Sequence, residues 1–320
     1  MAELQRIPRT DISVFPINLG GNTFGWTSDR QESFDVLDAF TEAGGNFIDT
    51  ADVYSAWAEG HQGGESETVL GEWLAARGRR DEVVIATKAG SHPEHQGQAR
   101  ETVIAAIDDS LKRLQTDYVD LYYAHFDDES VAIEDQARTY DEIVKSGKAK
   151  SIGLSNYSPE RMSRWFEFAT AEGLTVPVAI QPHYNLVKRR DFEQDYAPIA
   201  RQYDAAVFPY FSLASGFLTG KYRSQDDVKG TARQSMIDDY FSETSIENGL
   251  SVVDALDQVA RSHDVEITSV ALAYLLAKGV TAPIASARTT EQLQSVLAAA
   301  DLTLSDSEVA QLDAASSDFA

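Results

Sequence analysis

Eight short apolar runs alternate with longer segments of helical periodicity along the chain: Ile17–Leu19, Asn46–Asp49, Val83–Thr87, Tyr118–Ala124, Ser151–Leu154, Val178–Gln181, Ala206–Pro209 and Ala282–Ile284. The segments between them read as helices. Thr102–Leu114 puts Val103, Ala106, Ile107, Leu111 and Leu114 on one face. Ser158 followed by Pro159 supplies an N-cap and a first helical residue, and Gly44 and Gly147 stand where helices should end. Eight strands alternating with helices in 320 residues predict an α/β fold, a (β/α)8 TIM barrel, with residues 1–320 as a single domain. A doubly wound nucleotide-binding sheet is disfavoured. No two glycines are separated by one residue, so GxGxxG occurs nowhere, and GxxxxGK[ST] is also absent. Residues 4–16 read as an opening hairpin. The polar stretch 222–248, after strand seven, is too long for a plain connection and reads as a partly ordered lid.

Charge and composition narrow the function. There are 27 Lys and Arg against 51 Asp and Glu, a net charge of −24. Such a surface repels phosphate backbones, so neither nucleic acid nor an anionic membrane is an expected partner. The absence of cysteine excludes a thiol nucleophile and Cys-ligated metal. His92 and His95, in SHPEHQG, have no third ligand in the pattern, so no metal site is expected. No run of about 18 apolar residues occurs and the opening residues lack a signal-like apolar stretch, so a soluble cytoplasmic protein is the expectation.

In a barrel, function gathers at the C-terminal ends of the strands. Here those ends carry Asp49 and then Tyr54, Lys88, His125, Ser155 and Asn156, Gln181, and Tyr210. An ammonium beside a phenol lowers the phenol's pKa, a carboxylate holds the ammonium, and a histidine hydrogen-bonds a carbonyl oxygen. Asp, Tyr, Lys and His on adjacent strand ends make a proton-delivery site for carbonyl reduction. The hydride needs a cofactor.

The segments GGNFIDTADVY (44–54), VVIATKAG (83–90), YVDLYYAHFDD (118–128), GKAKSIGLSNYSPE (147–160), AIQPHYNLV (179–187) and PYFSLASGFLTGKY (209–222) resemble the aldo-keto reductases, from about residue 12 to 300. The resemblance is to the branch that includes the potassium-channel β-subunits. It implies a barrel that binds an extended nicotinamide dinucleotide without a Rossmann motif. It also implies a tetrad of Asp49, Tyr54, Lys88 and His125, in which Tyr54 is the general acid, Lys88 lowers its pKa, Asp49 pairs with Lys88 and His125 orients the carbonyl. Cofactor contacts are implied at Gly21, Asn22, Ser155, Asn156, Gln181, Tyr210, Phe211, Ser212, Leu213, Lys221, Arg233, Arg288 and Gln292. Of these, Tyr210 would stack on the nicotinamide and Lys221 would meet the pyrophosphate. NADPH is the implied cofactor, with NADH as the alternative, because Arg288 matches a 2′-phosphate partner. The expected substrate is a small aldehyde or ketone. The alternative implied by the same resemblance is a nicotinamide-binding regulatory module. The pattern departs from the family at Ala285-Ser286-Ala287-Arg288 and at Val296, where an asparagine is usual. Trp26 and Trp57, in loops after the first two strands, are candidate walls of the substrate pocket.

Overall fold

The structure is a computed structural model that describes residues 2–231 and 234–320. Eight parallel strands form its main sheet: β1 Asn18–Gly20, β2 Phe47–Asp49, β3 Val84–Ala89, β4 Val119–Ala124, β5 Ala149–Ser155, β6 Ala179–Gln181, β7 Ala206–Val207 and β8 Ile284–Ala285. Their order is β7-β6-β5-β4-β3-β2-β1-β8. The two ends are joined by single hydrogen bonds, from Thr281 N–H to the Val207 carbonyl and from Ile284 N–H to the Pro209 carbonyl, both 3.0 Å. The sheet thus curls into the expected (β/α)8 barrel.

Two apolar layers explain why these runs are strands. Ile48, Ile85, Ile152 and Ile180 face outward into a large cluster shared with the helices. Phe47, Val84, Ala86, Leu121, Tyr123, Ala179, Ala206, Phe208 and Ile284 face inward into a smaller one. Side chains alternate along a strand, so both faces of each strand are buried and the runs read as nearly continuous apolar sequence. The hairpin is present, with Gln5 opposite Val14 and Arg6 opposite Ser13. Its Ile7 and Val14 join the inward cluster and stop the barrel's N-terminal end.

The helix Arg100–Leu114 contains the expected periodic segment and buries Val103, Ala106, Ile107 and Leu114. Ser158 caps Pro159–Ala171 by accepting from the Arg161 N–H. Gly44 and Gly147 carry φ of 90° and 82° just past helix ends, where a Cβ would be strained. The described residues of 222–248 hold regular structure. They form helices Gln225–Val228 and Gln234–Asp238 and a 3-10 turn Asp239–Phe241. The helix Ile246–His263 begins among them. Val228, Ile237 and Ile246 are buried and tie the stretch down.

Candidate active site

Alternation that packs the barrel also builds its rim. Two residues beyond the last apolar inward-facing side chain of five strands, the next one on the same face is polar: Phe47 leads to Asp49, Ala86 to Lys88, Tyr123 to His125, Ala179 to Gln181 and Phe208 to Tyr210. The strand pairings Asp49 with Ala86, Lys88 with Tyr123 and Ser155 with Gln181 bring these positions to one end.

Lys88 is the centre. Its ammonium donates to Asp49 Oδ2 at 2.5 Å, to the Thr50 carbonyl at 2.8 Å and to Tyr54 Oη at 2.8 Å. All three ammonium protons are used. Lys88 and Asp49 are both 0% exposed. Tyr54 Oη also donates to Asp49 Oδ2 at 3.1 Å, and Gln181 Nε2 donates to Asp49 Oδ1 at 2.9 Å. The His125 ring is 6.4 Å from the Tyr54 ring. The four expected residues therefore meet.

The resemblance implies a lowered Tyr54 pKa, but the net shift is upward: burial first, and the Asp49 carboxylate second, raise it well above the usual phenol value. The phenol is held protonated, the form that gives up a proton. Burial lowers the Lys88 pKa, against the pull of Asp49. Burial, then the Lys88 charge, lowers that of His125 well below normal. A neutral His125 has one N–H. Its buried Nδ1 has no hydrogen-bond partner, which suits a bare lone pair better than a proton and leaves Nε2–H as the donor.

Beside the tetrad, Tyr210 Oη donates to Asn156 Oδ1 at 2.8 Å. Asn156 Nδ2 donates to the His125 carbonyl at 2.8 Å, and Ser155 Oγ donates to the Gln181 carbonyl at 2.9 Å. Phe211, at φ 51°, is exposed, Ser212 is buried and bonded to the Pro209 carbonyl, and Leu213 packs on the core. Across the rim, Ser286 Oγ donates to Asn22 Oδ1, and Gln292 accepts from the Arg288 N–H at 3.1 Å. A Cβ on Gly21 would stand 3.1 Å from the Asp49 carbonyl, so close strand packing already accounts for that glycine. Val296 is buried in the core and presents no polar group. Arg233 lies outside the described residues. Trp26 and Trp57 meet edge to face at 5.4 Å, and Trp57 reaches Tyr54 at 6.0 Å. Among the described residues no cluster of three or more His, Asp or Glu is placed for a metal, and no helix is long and apolar enough to cross a membrane.

The family profile for aldo/keto reductases matches residues 16–317. The chain belongs to the aldo/keto reductase family. Norsolorinic acid reductase B of Aspergillus parasiticus is 34% identical over 95% of this chain and 81% of its own length. Aryl-alcohol dehydrogenase of Pestalotiopsis microspora is 33% identical over 96% and 80%. Norsolorinic acid reductase of Aspergillus flavus is 32% identical over 94% and 78%. This aldo/keto reductase is therefore an NAD(P)H-dependent oxidoreductase of carbonyl and alcohol groups.

The residues present fit an anionic dinucleotide. Cations are scarce in this chain and nearly all are neutralised by carboxylates. Among the described residues, only Arg9, Arg201, Lys221 and Arg288 lack a carboxylate partner. Two of these, Lys221 and Arg288, are the cations expected to meet phosphates, and both are exposed. A basic group left unpaired in so acidic a protein is available for an anion from solution.

The site also contains groups that sequence reasoning missed. Asp52 is fully buried, and no side chain hydrogen-bonds its carboxylate, which meets only the Val53 backbone N–H in weak geometry. Burial, then Glu67, raises its pKa well above the usual range. Glu67 is itself buried and pairs with Arg113 at 2.7 Å. Asp52 lies in the same DTAD motif as Asp49, but the motif alone does not distinguish a charged carboxylate from a neutral one.

Proposed function

We propose that this aldo/keto reductase reduces aldehydes and ketones to alcohols with NADPH, with Tyr54 as the general acid. The observation that carries this reading is the Lys88 ammonium, which touches the Asp49 carboxylate and the Tyr54 hydroxyl at once. When bound, the nicotinamide supplies the hydride. The chain's own residues do the rest. With substrate bound, the single Tyr54 O–H turns from Asp49 to the carbonyl oxygen, which Nε2–H of His125 also holds, and the Tyr54 proton passes to that oxygen as it gains charge. Lys88 stabilises the phenolate left behind, and Asp49 keeps Lys88 charged. Ser155, Asn156 and Gln181 orient the carboxamide, Tyr210 supports the ring, and Gly21, Asn22, Phe211, Ser212, Leu213, Lys221, Arg288 and Gln292 line the rest of the cofactor path.

Aryl carbonyl compounds suit the entrance. Trp26, Trp57 and Phe126 are large, exposed rings beside Tyr54 and His125, and one relative is named for aryl alcohols. The deciding experiment is Tyr54→Phe, which removes only the phenol. NADPH binding should persist, by fluorescence titration, while kcat falls by about 10²–10⁴. Turnover like that of the unaltered protein would remove Tyr54 from the role. Arg288→Ala tests the cofactor choice: affinity for NADPH should fall by about tenfold or more while affinity for NADH barely moves, since a guanidinium pairs with a phosphate through charge-assisted bonds. Equal losses would mean that Arg288 does not read the 2′-phosphate.

A further inference from the structure

Behind Tyr210 stands a side chain that the proposed chemistry does not use. His183 follows β6 by two residues and pairs with Tyr210 through a backbone bridge. The Tyr210 N–H donates to the Pro182 carbonyl at 2.9 Å. The imidazole lies against the Tyr210 ring at 5.0 Å, tilted 31°, and against Phe211 at 5.5 Å. It meets Tyr240 edge-on at 5.4 Å, and its Nε2 is 2.8 Å from Tyr240 Oη.

Tyr240 belongs to the turn Asp239–Phe241, in the stretch between β7 and the helix Ile246–His263. Ile237 is buried and Phe241 packs on Phe217 at 4.9 Å. The Tyr240 hydroxyl ties this stretch to the barrel rim. A cavity of about 390 Å³ lies alongside, lined by His183, Phe211, Met236 and Tyr240 among others. It leaves room for the rings to shift if the tie is broken. On the far side, Tyr210 Oη donates to Asn156, and Asn156 donates to the His125 carbonyl. The contacts run without a break from Tyr240 through His183, Tyr210 and Asn156 to His125.

We infer that His183 is a positioning residue that couples the seating of residues 234–244 to the placement of the Tyr210 ring. This rests on the proposal that Tyr210 supports the nicotinamide. Burial, aided by Lys188 and opposed by Asp191, pushes the imidazole pKa down to about 4. The ring is therefore neutral at ordinary pH and can either donate to Tyr240 or accept from it.

Two substitutions separate the two sides of His183. Tyr240→Phe removes the hydroxyl and keeps the ring. His183→Phe keeps a ring against Tyr210 and removes the nitrogen. Amide hydrogen exchange across 234–244 is measured in cofactor-free protein, with the helix Arg100–Leu114 as internal reference. NADPH dissociation is measured by stopped flow. Both variants should speed exchange across 234–244 by about tenfold, the worth of one buried hydrogen bond, with the reference helix unchanged. Both should also speed NADPH release by about three- to tenfold, and because the Tyr240 hydroxyl also bonds Asn185 and Ser215, the double variant should be no faster than Tyr240→Phe alone. Unchanged exchange in both variants overturns the tie. Faster exchange with unchanged NADPH release overturns the positioning of Tyr210. Failure of the unaltered protein to bind NADPH overturns the nicotinamide reading and the positioning role with it, while the exchange result stands on its own.

Discussion

Asp49 and Lys88 illustrate how a buried ion pair is retained for chemistry. Removing one partner of such a pair typically costs about 3–5 kcal/mol, because the other charge is left buried alone. Here the pair sits where the ammonium can also reach a phenol. The shifts of its neighbours set the pH behaviour. Tyr54 acts while protonated, and its pKa is raised above 10.0, so the acid form persists to higher pH than for a free phenol. His125 acts while neutral, and its pKa is lowered below 6.5, so it stays neutral to lower pH. The reductive kcat should therefore be flat between about pH 7 and pH 9, falling only on the alkaline side of 10 and the acid side of 6.5. A fall centred near pH 8 would mean that the Lys88 charge outweighs burial and the Asp49 carboxylate at the phenol. Asp49, Tyr54, Lys88 and His125 were legible because strand ends concentrate function. Asp52, Glu67 and the His183–Tyr240 contact were not, because their meaning depends on which distant side chains pack against them.

Most strands are readable to within two residues, since both faces are buried and the runs are nearly continuous apolar sequence. β7 is shorter than its run, although beyond it the Phe208 N–H still donates to the Ile180 carbonyl and the Pro209 carbonyl accepts from the Ile284 N–H. The segment around His92 and His95 forms a small antiparallel pair, Ser91 with Gln96 and His92 with His95. Polar residues carry no period strong enough to announce it. Helix contacts were equally silent. Gly71, inside the helix Glu65–Arg77, has no turn to make; a Cβ there would stand 2.0 Å from the Arg113 carbonyl oxygen and 2.8 Å from Leu114 Cα. Backbone atoms cannot swing aside as a flexible side chain would. Gly71→Ala should thus destabilise by about 1–3 kcal/mol, even though alanine favours helix, and should lower Tm by several degrees in a thermal melt. A raised Tm would show that helix propensity outweighs the contact.

For the whole molecule, the surplus of acidic groups competes with many ion pairs. Most pairs are exposed, and exposed pairs contribute about 0–1 kcal/mol each. A net charge of −24 repels itself over distances that salt screens, with a Debye length of about 10 Å at 0.1 M. Screening should relieve the repulsion more than it weakens the pairs, so Tm should rise as NaCl goes from about 20 to 300 mM. A fall in Tm over that range would show that the surface pairs matter more than the surplus.

The hairpin described at the start of the fold has a consequence for traffic. With Ile7 and Val14 seated in the inward cluster, the barrel is a vessel with a stopper, and the tetrad lies toward the open end. Whatever reaches Lys88 must enter and leave by the same mouth. Reactants and products cannot stream through as they would in a pipe. They must take turns, and a bulky alcohol that lingers against Trp57 delays the next arrival as surely as a slow chemical step would.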